Sequence, residues 1–128
     1  MKLRRTRMTI GTLMFAGAAV TLSAGSASAI NWDHTRTYDG ARVYFEEHGD
    51  IVKVCDTSKN GHAAEANVYE NSPGDVGYTI TVTTGTGTCK SRRASQGPMY
   101  NLMEGNNTYI NLDGNGGTSY TYKWLNDH

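Results

Sequence analysis

Proline, phenylalanine and tryptophan are scarce in this 128-residue chain, which contains two of each, and cysteine is also limited to two. Beyond residue 30 the sequence has no Ala/Leu/Glu-rich block and no sustained apolar period near 3.6, which argues against a helical bundle or a coiled coil. The length and composition also exclude a collagen-like repeat and a multi-domain protein. These absences leave a single small domain with a modest core, which we place at residues 30–128.

Positive charge is also limited over this domain. Four of the twelve basic residues precede residue 30, whereas all twelve acidic residues follow it. Residues 30–128 therefore carry eight basic and twelve acidic side chains, a formal net charge of −4. Because nucleic-acid binding usually needs a basic domain, we expect no nucleic-acid partner.

Residues 1–29 have the pattern of a secretory signal peptide. Four basic residues lie at positions 2–7, an uncharged stretch runs to residue 32, and residues 27–29 read Ala-Ser-Ala. The uncharged stretch is also long enough for an N-terminal membrane anchor, and the Arg4-Arg5 pair raises the twin-arginine export route. All three interpretations place the domain outside the cytoplasm. We expect a secreted protein with no membrane association once the signal is removed.

The two cysteines, Cys55 and Cys89, allow only one intramolecular pairing. In an oxidising compartment such a pair usually closes, and a bridge around a loop of about 35 residues contributes roughly 3–4 kcal/mol. The sequence has no C-x-x-C motif and no Cys/His cluster, which disfavours a reactive or metal-binding thiol. We predict a structural disulfide and no cofactor.

Regularly spaced turn residues separate short segments rich in Thr, Tyr and Val, in which apolar and polar residues alternate. This pattern predicts an all-β, immunoglobulin-like antiparallel β-sandwich of about seven strands. The predicted strands cover residues 41–48, 51–57, 62–70, 78–84, 108–112 and 119–125, with a further short strand or turn at 99–104.

The connections between these strands carry their own signals. Asn60-Gly61 favours a type I′ hairpin, so residues 41–70 are predicted to form a three-stranded meander. Loops are expected at 71–77 and 113–118, and a long connection at 85–98. The segment that holds Trp32 and Tyr38 either adds an edge strand or packs as a plug.

Two groups of residues are candidate binding surfaces. Tyr120, Tyr122 and Trp124 share one face of a strand, about 6.6–7 Å apart, and form either an exposed binding row or part of the core. Three cations, Lys90, Arg92 and Arg93, follow Cys89. They are either a docking site for phosphate, an acidic glycan or an acidic protein groove, or simply a solvated loop.

Catalytic motifs are absent from the sequence. No nucleophile elbow and no H-E-x-x-H motif occurs, and no histidine lies at metal-ligand spacing from another ligand, so neither a catalytic nor a metal site is predicted. Asp56, His62 and Glu65 would converge only if the Asn60-Gly61 hairpin forms. The four histidines are His34, His48, His62 and His128.

Three segments resemble a group of small secreted proteins of streptomycetes and related actinobacteria. They are GDIVKVCD at 49–56, NGHAA at 60–64 and NLMEG at 101–105. The resemblance implies a signal peptide and a β-sandwich, and it brings no catalytic residues.

These observations favour a secreted, non-catalytic binding protein whose partner is an extracellular protein or a glycan. Two alternatives remain open at this point. One is an inhibitor of a secreted hydrolase that presents the 85–98 loop, and the other is a small extracellular hydrolase with an unrecognised site.

Overall fold

A computed structural model describes residues 29–71 and 76–128, so the predicted signal peptide lies outside the described residues except for Ala29. The described part contains eight β-strands and two short 3-10 helices, Ala94–Gln96 and Pro98–Tyr100. The strands are β1 (His34–Tyr38), β2 (Ala41–Glu46), β3 (Ile51–Asp56), β4 (Ala64–Glu70), β5 (Val76–Val82), β6 (Cys89–Arg92), β7 (Asn107–Asp113) and β8 (Ser119–Leu125).

The strands form two antiparallel sheets of four strands each, in the orders β1-β2-β3-β6 and β5-β4-β7-β8. The predicted all-β sandwich is therefore confirmed, with eight strands instead of about seven. Strands β1 and β6 are additional, whereas the short strand considered at 99–104 is not formed. No helix in the described ranges is long and apolar enough to cross a membrane.

The core lies between the two sheets and follows the alternation of the sequence. On β2, Ala41, Val43 and Phe45 are fully buried, while the residues between them face outwards. Full burial of a Val or Phe side chain contributes about 1.5–3 kcal/mol, so these rows supply most of the driving force for folding. The other fully buried apolar side chains are Val52, Val54, Ala64, Ala66, Val68, Val82, Ile110 and Leu112.

A two-residue turn, Asp39-Gly40, joins β1 to β2. Its flanking residues Tyr38 and Ala41 pair directly, and φ is positive at both central residues, 32° and 93°. Asp-Gly is one of the preferred sequences for such a hairpin because both central residues need positive φ. The segment that contains Tyr38 therefore forms an edge strand and not a plug.

The predicted meander over residues 41–70 is wrong, because β4 belongs to the other sheet. Strand β3 pairs with β2 on one side and with β6 on the other, so it has no edge left for β4. Asn60 lacks the positive φ that a type I′ turn requires. Its side-chain Nδ2 instead donates a hydrogen bond of 2.6 Å to the carbonyl of Gly114, at the point where the chain crosses between sheets.

The predicted long connection at 85–98 is also wrong, since it contains β6 and the 3-10 helix Ala94–Gln96. Strand β6 places Cys89 directly opposite Cys55 of β3, and the two residues form the predicted disulfide. The bridge thus links neighbouring strands of one sheet. Of the loop predicted at 71–77, residues 72–75 lie outside the described part of the chain.

Candidate functional site

The predicted aromatic row of β8 lies along one flank of the sandwich, where the edge strands β8 and β1 of the two sheets face each other. Its three rings differ in their environment. Tyr120 is 53% exposed, whereas Tyr122 and Trp124 are partly buried against the core. The row therefore lies partly at the surface and partly against the core.

Trp124 closes this flank of the core. Its ring stacks on the imidazole of His34 at 4.8 Å between ring centres and lies 6.0 Å from Phe45. Tyr122 stacks on Trp124 at 5.6 Å, and its hydroxyl donates a hydrogen bond of 3.4 Å to the backbone carbonyl of Thr37. Burial, together with the neighbouring Tyr120, raises the pKa of Tyr122, so its hydroxyl remains a donor.

The exposed end of the row meets a tyrosine of the other sheet. The ring of Tyr38 lies 5.8 Å from that of Tyr120, which in turn lies 4.8 Å from Tyr122. We call these three residues the tyrosine platform. Separations of 4.5–7 Å are typical of interacting aromatic rings, so the platform is a continuous apolar surface built from both sheets.

Polar side chains border the tyrosine platform. Oδ2 of Asp39 accepts hydrogen bonds from Nδ2 of Asn115, at 3.2 Å, and from the hydroxyl of Thr118, at 3.4 Å. Asp39 directly follows Tyr38, and Thr118 precedes Tyr120 by two residues. A carboxylate, an amide and a hydroxyl are thus held together at the ends of the strands that carry Tyr38 and Tyr120, and we call these three residues the polar rim.

Close backbone contact between two turns holds the polar rim in place. A Cβ atom on Gly114 would lie 2.4 Å from the backbone nitrogen of Ala41, so only glycine fits there. Within the same loop, Oδ1 of Asn115 accepts hydrogen bonds from the backbone N–H groups of Gly117 and Thr118, at 2.9 and 2.8 Å. Oδ1 of Asp113 accepts from Asn115 and Gly116 in the same way, so two successive Asx turns shape the loop.

The three predicted cations do not join the tyrosine platform. They lie on or next to β6, the edge strand at the opposite side of its sheet from β1. Lys90 and Arg93 are exposed, whereas Arg92 is half-buried, with Cζ 5.7 Å from the ring centre of Tyr100. The sequence-predicted binding residues therefore form two separate surfaces on opposite flanks.

The fold brings together only two of the three residues considered at the Asn60-Gly61 turn, which are Asp56, His62 and Glu65. Asp56 and His62 line a cleft of about 620 Å³ next to that turn, but Glu65 is directed to the outer face, where it accepts a hydrogen bond from Thr81. Oδ1 of Asp56 accepts the backbone N–H of Ser58. Among the described side chains, no hydrogen bond connects His62 to Asp56 or Ser58, so the geometry provides no proton relay.

The fold also creates one cluster that sequence reasoning missed. Glu47 lies in the turn after β2. One of its carboxylate oxygens contacts the ring of His34, and the other lies 3.6 Å from Nδ1 of His128. The three residues are far apart in the sequence, and no local spacing signals their convergence. This cluster lies at the end of the sandwich away from the polar rim.

No protein-family model, curated protein or solved structure matches this chain. The candidate site is therefore defined by its geometry.

Proposed function

We propose that the protein is an exported, non-catalytic binding protein that holds a glycan on its tyrosine platform. The observation that carries the proposal is the exposure of Tyr120, at 53%, within a row of aromatic rings built from both sheets. A large exposed ring in a rigid row offers contact area at a low cost in conformational entropy.

The chemistry around the platform matches a sugar. The apolar face of a pyranose ring stacks on an aromatic ring, and its hydroxyls need donors and acceptors at the edge of the stack. The polar rim supplies acceptors in the Asp39 carboxylate and the Thr118 hydroxyl, while the Asn115 amide donates to both and holds them in place. An aromatic surface with a few fixed polar groups is typical of small-ligand sites.

The disulfide supports the proposed location. Cys55 and Cys89 are bonded, and such bonds persist mainly in oxidising compartments. This agrees with the export signal predicted at residues 1–29. Extracellular glycans would then be available to the tyrosine platform.

The geometry favours this function over the two alternatives from the sequence. An inhibitor was expected to present residues 85–98 as a loop, but these residues form β6 and 3-10 turns packed along the sheet edge. For a hydrolase, the group that the sequence placed near the Asn60-Gly61 turn provides no relay, since no hydrogen bond among the described residues joins Asp56 to His62.

Retention on insoluble polysaccharides tests the proposal. We expect the disulfide-bonded protein to be retained on at least one of cellulose, chitin and peptidoglycan, and Tyr120→Ala to weaken retention about tenfold or more, since a central aromatic contact typically contributes over 1 kcal/mol. Tyr109→Ala is the matched control, because Tyr109 lies on the neighbouring strand β7 and outside the platform. Trp124 is a poor probe, since its loss would also open the core.

Two results would contradict the glycan proposal. One is retention that is equally strong in the Tyr120→Ala variant. The other is no retention on any polysaccharide, in which case an extracellular protein captured on the same platform would be the better interpretation.

A further inference from the structure

We propose that Glu47, Asp127 and His128 form a binding site for a zinc ion at the end of the sandwich away from the polar rim. Each residue offers one ligand atom, and these atoms all lie within 4.8 Å of one another. Glu47 is buried, whereas Asp127 and His128 are exposed. The site therefore has a fixed carboxylate at its base and opens to solvent.

The separation of the ligand atoms fits a shared metal ion as well as a direct ion pair. Oε2 of Glu47 lies 3.6 Å from Nδ1 of His128, beyond hydrogen-bonding distance but within that of an ion pair. Zinc binds oxygen and nitrogen ligands at about 2.0–2.2 Å in a tetrahedral arrangement, which places two ligand atoms roughly 3.4 Å apart. The observed distance is close to one edge of that tetrahedron.

The buried ligand is already oriented. The other carboxylate oxygen of Glu47, Oε1, contacts Nε2 of His34, and the His34 ring packs against both Phe45 and Trp124. The backbone N–H of Glu47 donates a hydrogen bond of 2.9 Å to Oδ2 of Asp33. These contacts leave Oε2 directed towards His128. A ligand held by hydrogen-bonded neighbours is characteristic of metal sites.

The segment that carries the other two ligands is anchored as well. Asn126 is fully buried, and its backbone N–H donates a hydrogen bond of 2.9 Å to the carbonyl of Asn106. The backbone N–H of His128 donates one of 3.0 Å to Oε2 of Glu104. These hydrogen bonds hold the backbone of Asp127 and His128 beside Glu47, so ion binding would need little rearrangement of the backbone.

The chemistry of the ligands selects the class of metal. Imidazole and carboxylate together suit zinc, whereas calcium and magnesium prefer sites built from oxygen atoms only. The ring of His48 lies 5.1 Å from that of His128, edge to face, and is a second imidazole close to the site. Asp33 and Glu104, which also surround it, add negative charge that favours a cation.

Zinc titration by calorimetry tests the site on the disulfide-bonded chain. We expect one zinc ion per chain, with His128→Ala and Asp127→Asn each weakening the affinity at least tenfold. Both residues are exposed, so neither change removes core packing. His62→Ala is the matched control, because this histidine lies at the other end of the sandwich and should leave the affinity unchanged.

Histidine resonances in NMR spectra provide a second measurement. Zinc should shift the ring signals of His128 and leave those of His62 in place. The proposal is overturned if zinc does not bind, if His128→Ala and Asp127→Asn bind zinc as the wild type does, or if the His62 signals are the ones that move. Magnesium binding as tight as that of zinc would overturn the choice of metal.

Discussion

The two ends of the sandwich are stabilised by different interactions. At the disulfide end are Cys55–Cys89, the Asp39-Gly40 turn and the loop at 113–118. At the histidine end are Glu47, Asp50 and the segment 126–128. The first end is held by a covalent bond and by backbone contacts, and the second by buried polar side chains.

At the disulfide end, hydrogen bonds between backbone groups join neighbouring segments. The N–H of Thr57 donates a hydrogen bond of 2.9 Å to the carbonyl of Gly40, and the N–H of Asp56 donates one of 3.0 Å to the carbonyl of Thr88. These bonds join neighbouring segments through backbone groups, and the one buried carboxyl group among these residues, that of Asp56, accepts the backbone N–H of Ser58. Their strength should vary little with pH, because neither partner titrates.

The packing of the histidine end depends instead on Asp50, which is only 3% exposed. Its carboxylate accepts hydrogen bonds of 3.0 Å from the N–H of Leu102 and 3.1 Å from Nδ2 of Asn126. Burial raises the pKa of Asp50 above its ordinary value of 3.8, although both bonds act in the opposite direction. The Tyr78 hydroxyl and Oδ1 of Asn126 are buried with no partner among the described residues.

The comparison shows that one small domain can hold one end mainly by a covalent bond and backbone contacts, and the other mainly by buried side chains that ionise. Buried polar groups that are incompletely paired reduce stability, and they concentrate where a site needs them. Three changes test whether the two ends behave in this way.

The largest effect is expected from removing the disulfide. Replacing both Cys55 and Cys89 by Ala should lower the free energy of unfolding by about 3–4 kcal/mol, because the unfolded chain is no longer constrained by its closed loop. Urea denaturation of the two proteins gives the difference. A change below about 1 kcal/mol would mean that backbone contacts alone hold this end.

A smaller effect is expected from Gly114→Ala. The added methyl group would lie 2.4 Å from the backbone nitrogen of Ala41, so the two turns must separate, at about 2–3 kcal/mol. Gly117→Ala in the same loop is the matched control, since its nearest atom is 3.9 Å away. Equal denaturation midpoints for the two variants would show that this contact does not hold the turns together.

The smallest effect is expected from Asp50→Asn, and it should depend on pH. Because the pKa of Asp50 is raised in the folded protein, the folded state binds more protons than the unfolded state between pH 3.8 and that raised pKa. The free energy of unfolding of the wild type should therefore fall as the pH rises through this window. Below pH 3.8 Asp50 is protonated in both states, and its burial carries no charge penalty.

The Asn variant lacks this titration and should show a flatter profile in urea denaturation measured at a series of pH values. At pH 7 it should be less stable than the wild type by about 1 kcal/mol, because its NH2 group faces one of the two donors that the Asp50 carboxylate accepts from, while the cost of burying a charge is removed. Asp50 has φ of 51°, a conformation that Asn tolerates well. Identical slopes for both proteins would show that Asp50 does not make this end pH-dependent.

Much of the strand pattern was predictable from the sequence. Alternation identified the buried faces of the β2 and β4 segments, and the Cys55–Cys89 pairing followed from the count of two. The error at β4 has a physical cause, because alternation shows that one face is buried but not against which sheet. Asp39-Gly40 carried a true hairpin signal, whereas Asn60-Gly61 had the same type of sequence and lay at a crossing between sheets.

The candidate sites were less accessible to sequence reasoning. The spacing of Tyr120, Tyr122 and Trp124 at every second residue predicted that they share a face. Their different degrees of exposure arise because β1 packs alongside β8, which the sequence does not indicate. Asp39 and Asn115 are 76 positions apart, and no local pattern connects them. The same holds for Glu47 and His128.

The amino-acid sequence by itself determined most of the segments that extend, which of their faces are apolar and which sulfur atoms bond, because these properties depend on neighbouring residues and on a count. Only the tertiary structure decided which strands share a sheet, where the tyrosines of the two sheets meet, and which carboxylate lies between two histidines. These features arise when distant segments pack against a common core, and their partners are selected by shape and burial across the whole domain.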